Sequence, residues 1–174
     1  MLDSEKIRFE LKRLYFDDNI LDKNNENVYY HLVRVADNFE INSVLRVIAL
    51  LHDAIEDKVM TYGEIAKLLF DSSDNVDYDC LTIFRIIKEI KVLTRVKDQD
   101  YLNDYIPLVL DSKFARSVKL ADLKDNAFRS IHIVTQRDID RINKYLKAIM
   151  MIQERDVDDK IRGLKLYNDN WWYN

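Results

Sequence analysis

Apolar residues recur three and four positions apart along most of the chain. Ile7, Leu11 and Leu14 form one such set, and Val33, Val35 and Phe39 a second. The third, Val44 to Leu51, is apolar at nearly every position. The spacing continues through Ile65, Leu68 and Leu69, then Leu81 to Leu93, Phe114 to Phe128 and Ile139 to Ile152. This spacing predicts helices, because a period near 3.6 is what gathers such positions on one face. Start signals agree with it. Asn42 precedes one apolar run, and Thr61-Tyr62-Gly63-Glu64 has the form of a capping box, with Thr135 and Asp138 as a weaker version. Pro107 is expected in the first turn of a short helix after Asn103 or Asp104, since an interior proline would cost about 3 kcal/mol.

Two glycines and one proline are too few for the turns of a sheet protein. The expected fold is therefore an all-α bundle of about seven to nine helices, by the helix and loop lengths usual for such folds. Residues 1–174 are read as a single domain. "DSSDNVDYD" (71–79) is the clearest linker, and it lacks the central glycine and terminal glutamate of a calcium loop.

Composition narrows the function. Apolar residues make up 48% and charged residues 33%, which suits a chain that buries a core. The net charge of −4 gives no electrostatic reason to bind nucleic acid. No apolar stretch is long enough to span a bilayer, and "MLDSEKIRFELKRLYF" lacks the apolar core of a signal peptide, so the expected home is the cytoplasm. The lone Cys80 is expected to be a small buried or half-buried side chain. The tail "YNDNWWYN" carries Trp171, Trp172 and Tyr173, expected to dock on the body; a homo-oligomeric contact through it is left open.

There are only three histidines. His31 falls on the predicted second helix, and His52, followed at once by Asp53, near the end of the third. Asp122 sits far along the chain inside the apolar stretch "SVKLADLKDNAFR". Each has a plain alternative: a lone helical histidine is often just a satisfied polar group, and an aspartate among apolar residues can cap or pair. Together they point elsewhere. A carboxylate drawn into the core needs a cation. Two imidazoles and two carboxylates form a nitrogen and oxygen set suited to Mn²⁺, Fe²⁺, Co²⁺ or Zn²⁺, with no thiolate to favour a closed structural zinc site.

On these residues the chain resembles the HD-domain superfamily of metal-dependent phosphohydrolases, whose pattern is H…HD…D on separate helices of an all-α fold. "HDAIED" (52–57) has the HD-x-x-E-D form of the RelA/SpoT-type and small stand-alone alarmone hydrolases, and "VKLADLKDN" (118–126) is similar to their "VKLADRLHN". "LTRVKDQDYLNDYI" (93–106) resembles the linking region of small bacterial HD proteins. The likeness covers about residues 20–155, leaving 156–174 as a helical extension with an aromatic tail.

The resemblance implies one divalent metal, Mn²⁺ before the others, held by His31, His52, Asp53 and Asp122. It implies that Glu56 and Asp57 position or activate the attacking water. Residues four apart share a helix face, so a helix persisting through the motif would set His52 over Glu56 and Asp53 over Asp57; a solvated helix end is the plain alternative. Asn126 matches the family asparagine and could contact a ribose or phosphate. Lys119 could steady the carboxylate or a phosphate, or lie at the surface. Arg141 and Lys144-Tyr145 resemble the last core helix, whose side chains reach the site. Lys23, Lys58, Lys119 and Arg129 are candidate cations against phosphoryl charge. His132 fits no ligand slot.

The family's "R-K-S-G-E-P-Y" approach to the first histidine reads here Asp22-Lys23-Asn24-Asn25-Glu26-Asn27-Val28, so Lys23 and Glu26 match while Asp22 replaces the base-holding arginine. The expected activity is hydrolysis of a nucleotide by metal-activated water, on a (p)ppGpp-like 3′-pyrophosphate. The alternatives are a broader nucleotidase or phosphomonoesterase, or a non-catalytic nucleotide-binding regulatory domain.

Overall fold

A computed structural model describes residues 2–73, 76–129 and 135–169. Among them are eight α-helices, one π-helical turn and no strand, which agrees with the expected all-α bundle. The helices are α1 Ser4–Asp17, α2 Tyr29–Ala36, α3 Val44–Leu51, α4 Tyr62–Asp71, α5 Val76–Leu93, α6 Ile106–Leu110, α7 Lys113–Arg129 and α8 Gln136–Asp169, with the π turn over Tyr101–Tyr105. None of the described helices is long and apolar enough to cross a membrane.

The sequence Val-Leu-Arg-Val-Ile-Ala-Leu-Leu of α3 is apolar almost all round, and a helix of that kind belongs in an interior. Every residue from Arg46 to Leu51 is buried, and α3 packs against α1, α2, α5 and α7. Its one charge, Arg46, is held through its two terminal nitrogens by the carbonyls of Ala36 and Phe39 and by the carboxylates of Glu5 and Asp37. The second organising helix is α7, which touches α2, α3, α5, α6 and α8. Together α3 and α7 form the axis on which α1, α2, α5, α6 and α8 lie, while α4 packs on α5.

Local start signals mostly hold. Thr61 and Glu64 form the reciprocal capping box, and Thr135 and Asp138 bond to each other at the head of α8. Pro107 lies in the first turn of α6, but the preceding turn is a π-helix capped by Asp100. Ser43 rather than Asn42 caps α3; Asn42 adopts a left-handed φ of 60° and accepts from the backbone N–H and hydroxyl of Ser4.

Three expectations need correction. The 71–79 linker is shorter than its polarity suggested, because α4 runs to Asp71 and α5 begins at Val76. Cys80 is exposed on α5 rather than buried. Helix α3 ends at Leu51, so the HD-x-x-E-D stretch winds through successive turns rather than continuing the helix. The bond from Asp57 N–H to Asp53 C=O keeps the α-helical spacing there, while those from Ala54 to Leu51 and from Lys58 to Ile55 close tighter turns. Trp171, Trp172, Tyr173 and His132 lie outside the described residues.

The start of α7 is held from another helix. Buried Glu89 of α5 accepts from the Ser112 hydroxyl and from the Ala115 N–H at 3.2 Å, so a carboxylate answers the positive end of α7. Glu89→Ala should therefore cost about 1.5–3 kcal/mol, the range for hydrogen bonds to a charged group. Thermal unfolding should show a midpoint lower by roughly 5–10 °C. An unchanged midpoint would mean that Ser112 and water cap α7 unaided.

Candidate metal centre

Three separate elements deliver the candidate ligands to one buried point. His31 projects from α2, His52 follows the last residue of α3, Asp53 follows it, and Asp122 lies mid-way along α7. His31, His52 and Asp122 are buried and Asp53 is partly so. The ligand atoms of His31, His52 and Asp53 all lie within 4.8 Å of one another. Asp122 stands outside that mutually close trio, yet its Oδ1 is 3.1 Å from His31 Nε2 and 3.7 Å from His52 Nε2. Asp53 Oδ2 lies 3.6 and 3.3 Å from the same two nitrogens.

The other ring nitrogens decide what these atoms are. His31 Nδ1 donates to Asp125 Oδ2 at 2.7 Å and His52 Nδ1 donates to the Ala49 carbonyl at 2.8 Å. Carboxylates and carbonyls only accept, so each Nδ1 carries a proton and each Nε2 of a neutral ring is left with a lone pair. Both Nε2 atoms are buried and form no hydrogen bond, because the carboxylate oxygens beside them offer no proton to a lone pair. Two imidazole nitrogens and two carboxylates thus face one another with no donor to either nitrogen, an arrangement that calls for positive charge.

The ionisation tendencies say the same. Burial opposes a charged ring, yet Asp122 and Asp125 outweigh it and push His31 up to about 10. His52 is raised as well: burial opposes the charge, and Asp53 and Asp122 overcome it. Burial works against the Asp122 carboxylate, but Lys119 and the two imidazoles hold it well below the usual range. A divalent cation meets the same demand without two protons, and the orphaned nitrogens with hard oxygens suit Mn²⁺, Fe²⁺, Co²⁺ or Zn²⁺.

Several partners were not legible beforehand. Asp125 orients His31 and is itself held by Arg34 Nε at 2.8 Å. It lies three residues beyond Asp122, one turn along the same face of α7, and that spacing was its only sequence signal. Lys119, for which a surface position was one reading, has a side chain only 12% exposed and sits 2.7 Å from Asp122 Oδ2. Part of the cation that Asp122 requires is therefore built into the chain. Asn126 donates to Asp122 Oδ1 at 2.5 Å, which makes it a partner of the ligand as well as a wall of the cleft.

The cleft above the cluster has two chambers. The inner one, about 220 Å³, is lined by Asp53, Glu56, Arg95, Tyr101, Lys119 and Lys144 among others. The outer, about 280 Å³, is bordered by Asp22, Lys23, Asn24, Arg129 and Arg141. Asn126 and Tyr145 line both. In the inner chamber Lys144 lies over the rings of Tyr101 and Tyr145, and Arg95 over Tyr101, so the ring faces hold the cations in place. Burial and the neighbouring Arg95, Arg141 and Lys119 all depress the Lys144 pKa, a mark of crowded positive charge. Lys58 is exposed and borders neither chamber. A larger cavity of about 450 Å³ between α1 and α4 shares no residue with the cluster, and its charges are balanced.

Glu56 and Asp57 part company. Glu56 lines the inner chamber, where its carboxylate accepts the Arg95 backbone N–H at 2.6 Å. Asp57 turns inward and accepts from the hydroxyl of wholly buried Tyr15 at 2.9 Å. Burial and the charge of Asp53 raise Asp57 to about 6, although Tyr15 pulls the other way.

A comparison with models of known protein families finds no match, and a comparison with curated proteins finds none either. The chemistry of the site therefore rests on its geometry and on the sequence motif.

Two outcomes follow from that geometry. Asp125→Ala should lower Mn²⁺ affinity about 10–100-fold in calorimetric titration, the usual effect of removing a partner that orients a ligand; unchanged affinity would show that α2 alone sets the ring. For Asp57, the folded pKa near 6 lies above the ordinary value of 3.8, so the fold prefers the protonated form. The contribution is fully present below the ordinary value and is lost as pH rises through about 6. Asp57→Asn should therefore raise the melting temperature of the chelator-treated protein at pH 7.5, by on the order of 5 °C, and barely change it at pH 4.

Proposed function

We propose that the protein is a metal-dependent phosphohydrolase acting on a nucleotide. The reading is carried by one observation: two buried imidazole nitrogens, His31 Nε2 and His52 Nε2, lack any donor and stand beside Asp53 and Asp122 below a cationic cleft. His31, His52, Asp53 and Asp122 would hold one divalent ion, Mn²⁺ before Fe²⁺, Co²⁺ or Zn²⁺. Bound there, such an ion would supply Lewis acidity toward a phosphoryl oxygen and lower the pKa of a water.

The rest of the chemistry belongs to the chain. Arg95, Lys119 and Lys144 surround the inner chamber and offset the charge that a phosphoryl group gathers during displacement. Glu56 has its carboxylate at the chamber wall, fixed by the Arg95 N–H, and is the group placed to accept a proton from the attacking water. Asp57, tied to Tyr15, braces the turn that carries Glu56. The inner chamber is of a size for a phosphate or diphosphate, and the outer one for a nucleoside gripped by Lys23, Asn24, Arg129 and Arg141. Asn126 and Tyr145 stand at the junction, where a ribose would lie.

A (p)ppGpp-like 3′-pyrophosphate fits this division. Asp22 cannot replace a base-holding arginine, since it is an anionic acceptor with no planar cation to stack on a base, and it already accepts from Arg129 at 2.7 Å and from the N–H groups of Asn24 and Glu26. A broader nucleotidase therefore remains the nearest alternative. One further observation favours a different reading: the Lys119–Asp122 ion pair answers part of the cluster's charge without metal, as a nucleotide-binding regulatory domain would require.

A nucleotide panel assayed with Mn²⁺ and scored for pyrophosphate against orthophosphate release separates these readings. The proposal expects turnover that a chelator abolishes. Glu56→Gln should retain metal by elemental analysis while losing about 10²–10⁴-fold in kcat, the range for a lost general base. Metal binding with no turnover of any phosphate ester would leave the regulatory domain as the better reading.

A further inference from the structure

Helix α8 spans Gln136–Asp169 and meets the rest of the described protein along one side only, chiefly α7, with α6 and the π turn. That side is buried through Ala148 and Ile152 and pinned by Arg116, which pairs with Asp156 and Asp159. The opposite side is not polar. Ile139, Leu146, Met150, Val157 and Ile161 are 41%, 48%, 59%, 53% and 46% exposed. At 3.6 residues per turn these five fall within about 60° of arc, a single straight seam roughly 33 Å long. Scattered exposed apolar residues need no explanation, but five aligned on one face, with exposed Asn143 among them, do.

The charges beside the seam are informative. Lys147 and Glu154 lie on the same flank and are both exposed. Two antiparallel copies related by a two-fold axis bring like flanks together. With the axis at Met150, Ile139 faces the partner's Ile161, and Lys147 comes within about one residue's rise of the partner's Glu154, twice over by symmetry. A parallel pair would instead set Lys147 toward the flank that carries Gln153 and Lys160, with no opposite charge to meet. A lipid surface fits worse, because Glu154, Asp140 and Asp158 border the seam where an amphipathic membrane helix would carry bases.

We infer that this seam is the interface of an antiparallel homodimer, formed by α8 packing against α8 of a second copy. The inference is independent of the phosphohydrolase reading, since none of the seam residues lines the cleft.

Light scattering on the eluting 174-residue chain, from low to high micromolar, should show the mass move from 20.8 kDa toward twice that value. Met150→Lys should weaken self-association at least about tenfold, as should Lys147→Glu or Glu154→Lys singly, while the two charge reversals together should restore it. Helical content by circular dichroism should stay constant across the set. In a Cys80→Ser background, Met150→Cys should oxidise to a disulfide-linked dimer, whereas Leu146→Cys should not, because its partner cysteine would lie about 12 Å away along the axis. A monomer at every concentration, equal cross-linking at both positions, or binding of lipid vesicles by a monomeric chain would overturn the inference.

Discussion

A buried meeting of acceptors governs this structure. His31 Nε2, His52 Nε2, Asp53 and Asp122 present lone pairs and negative charge to a common space, and nothing within it donates a hydrogen bond to either imidazole nitrogen. Such a cluster would drive its helices apart if left uncompensated. Compensation comes in layers. Lys119 contacts the far oxygen of Asp122, protons are drawn onto His31 and His52, and a divalent cation would replace those protons. The depth at which α3 ends is what makes this necessary. An apolar helix with its last turn in the core must release His52 there.

The cluster is also the end of a chain of ion pairs leading to the surface. His31 leans on Asp125, which holds Arg34; Arg34 reaches Glu26, and Arg129 joins Glu26 and Asp22. Residues 20–28, which carry Lys23 and Asn24 to the outer chamber, are thereby fastened to the groups that orient a ligand. A left-handed Asn25 turns this segment back, and its ends pair at Leu21 and Asn27. The wall of the cleft and the ring of His31 are thus set by the same charges, so a substitution at Glu26 or Arg129 acts on both.

Much of the candidate site could be read before any fold was known. His31, His52-Asp53 and Asp122 stand out in the sequence because imidazoles and carboxylates sit where apolar helices carry them inward, and the four side chains do converge. Glu56 and Asp57 look equivalent in the sequence, and they are not. Their separation depends on where α3 stops, and at Leu51 the backbone leaves the helix and aims one carboxylate at the chamber and the other at Tyr15. Arg95 and Tyr101 carry no local signal of their place in the site, because the partners that put them there, Glu56 and Lys144, lie 39 and 43 residues away in the chain.

Helical periodicity and the scarcity of glycine and proline determined the class of fold, since those features act within a few residues and need no knowledge of the rest. The ligand types were determined in the same way, because imidazole and carboxylate carry their chemistry wherever they are placed. Which of their atoms face one another, which proton each ring keeps, and whether Lys119 points at Asp122 or at water were decided only when α2, α3 and α7 packed together. Those outcomes turn on distances of a few ångströms between segments some 20 to 90 residues apart, and long-range packing alone sets such distances.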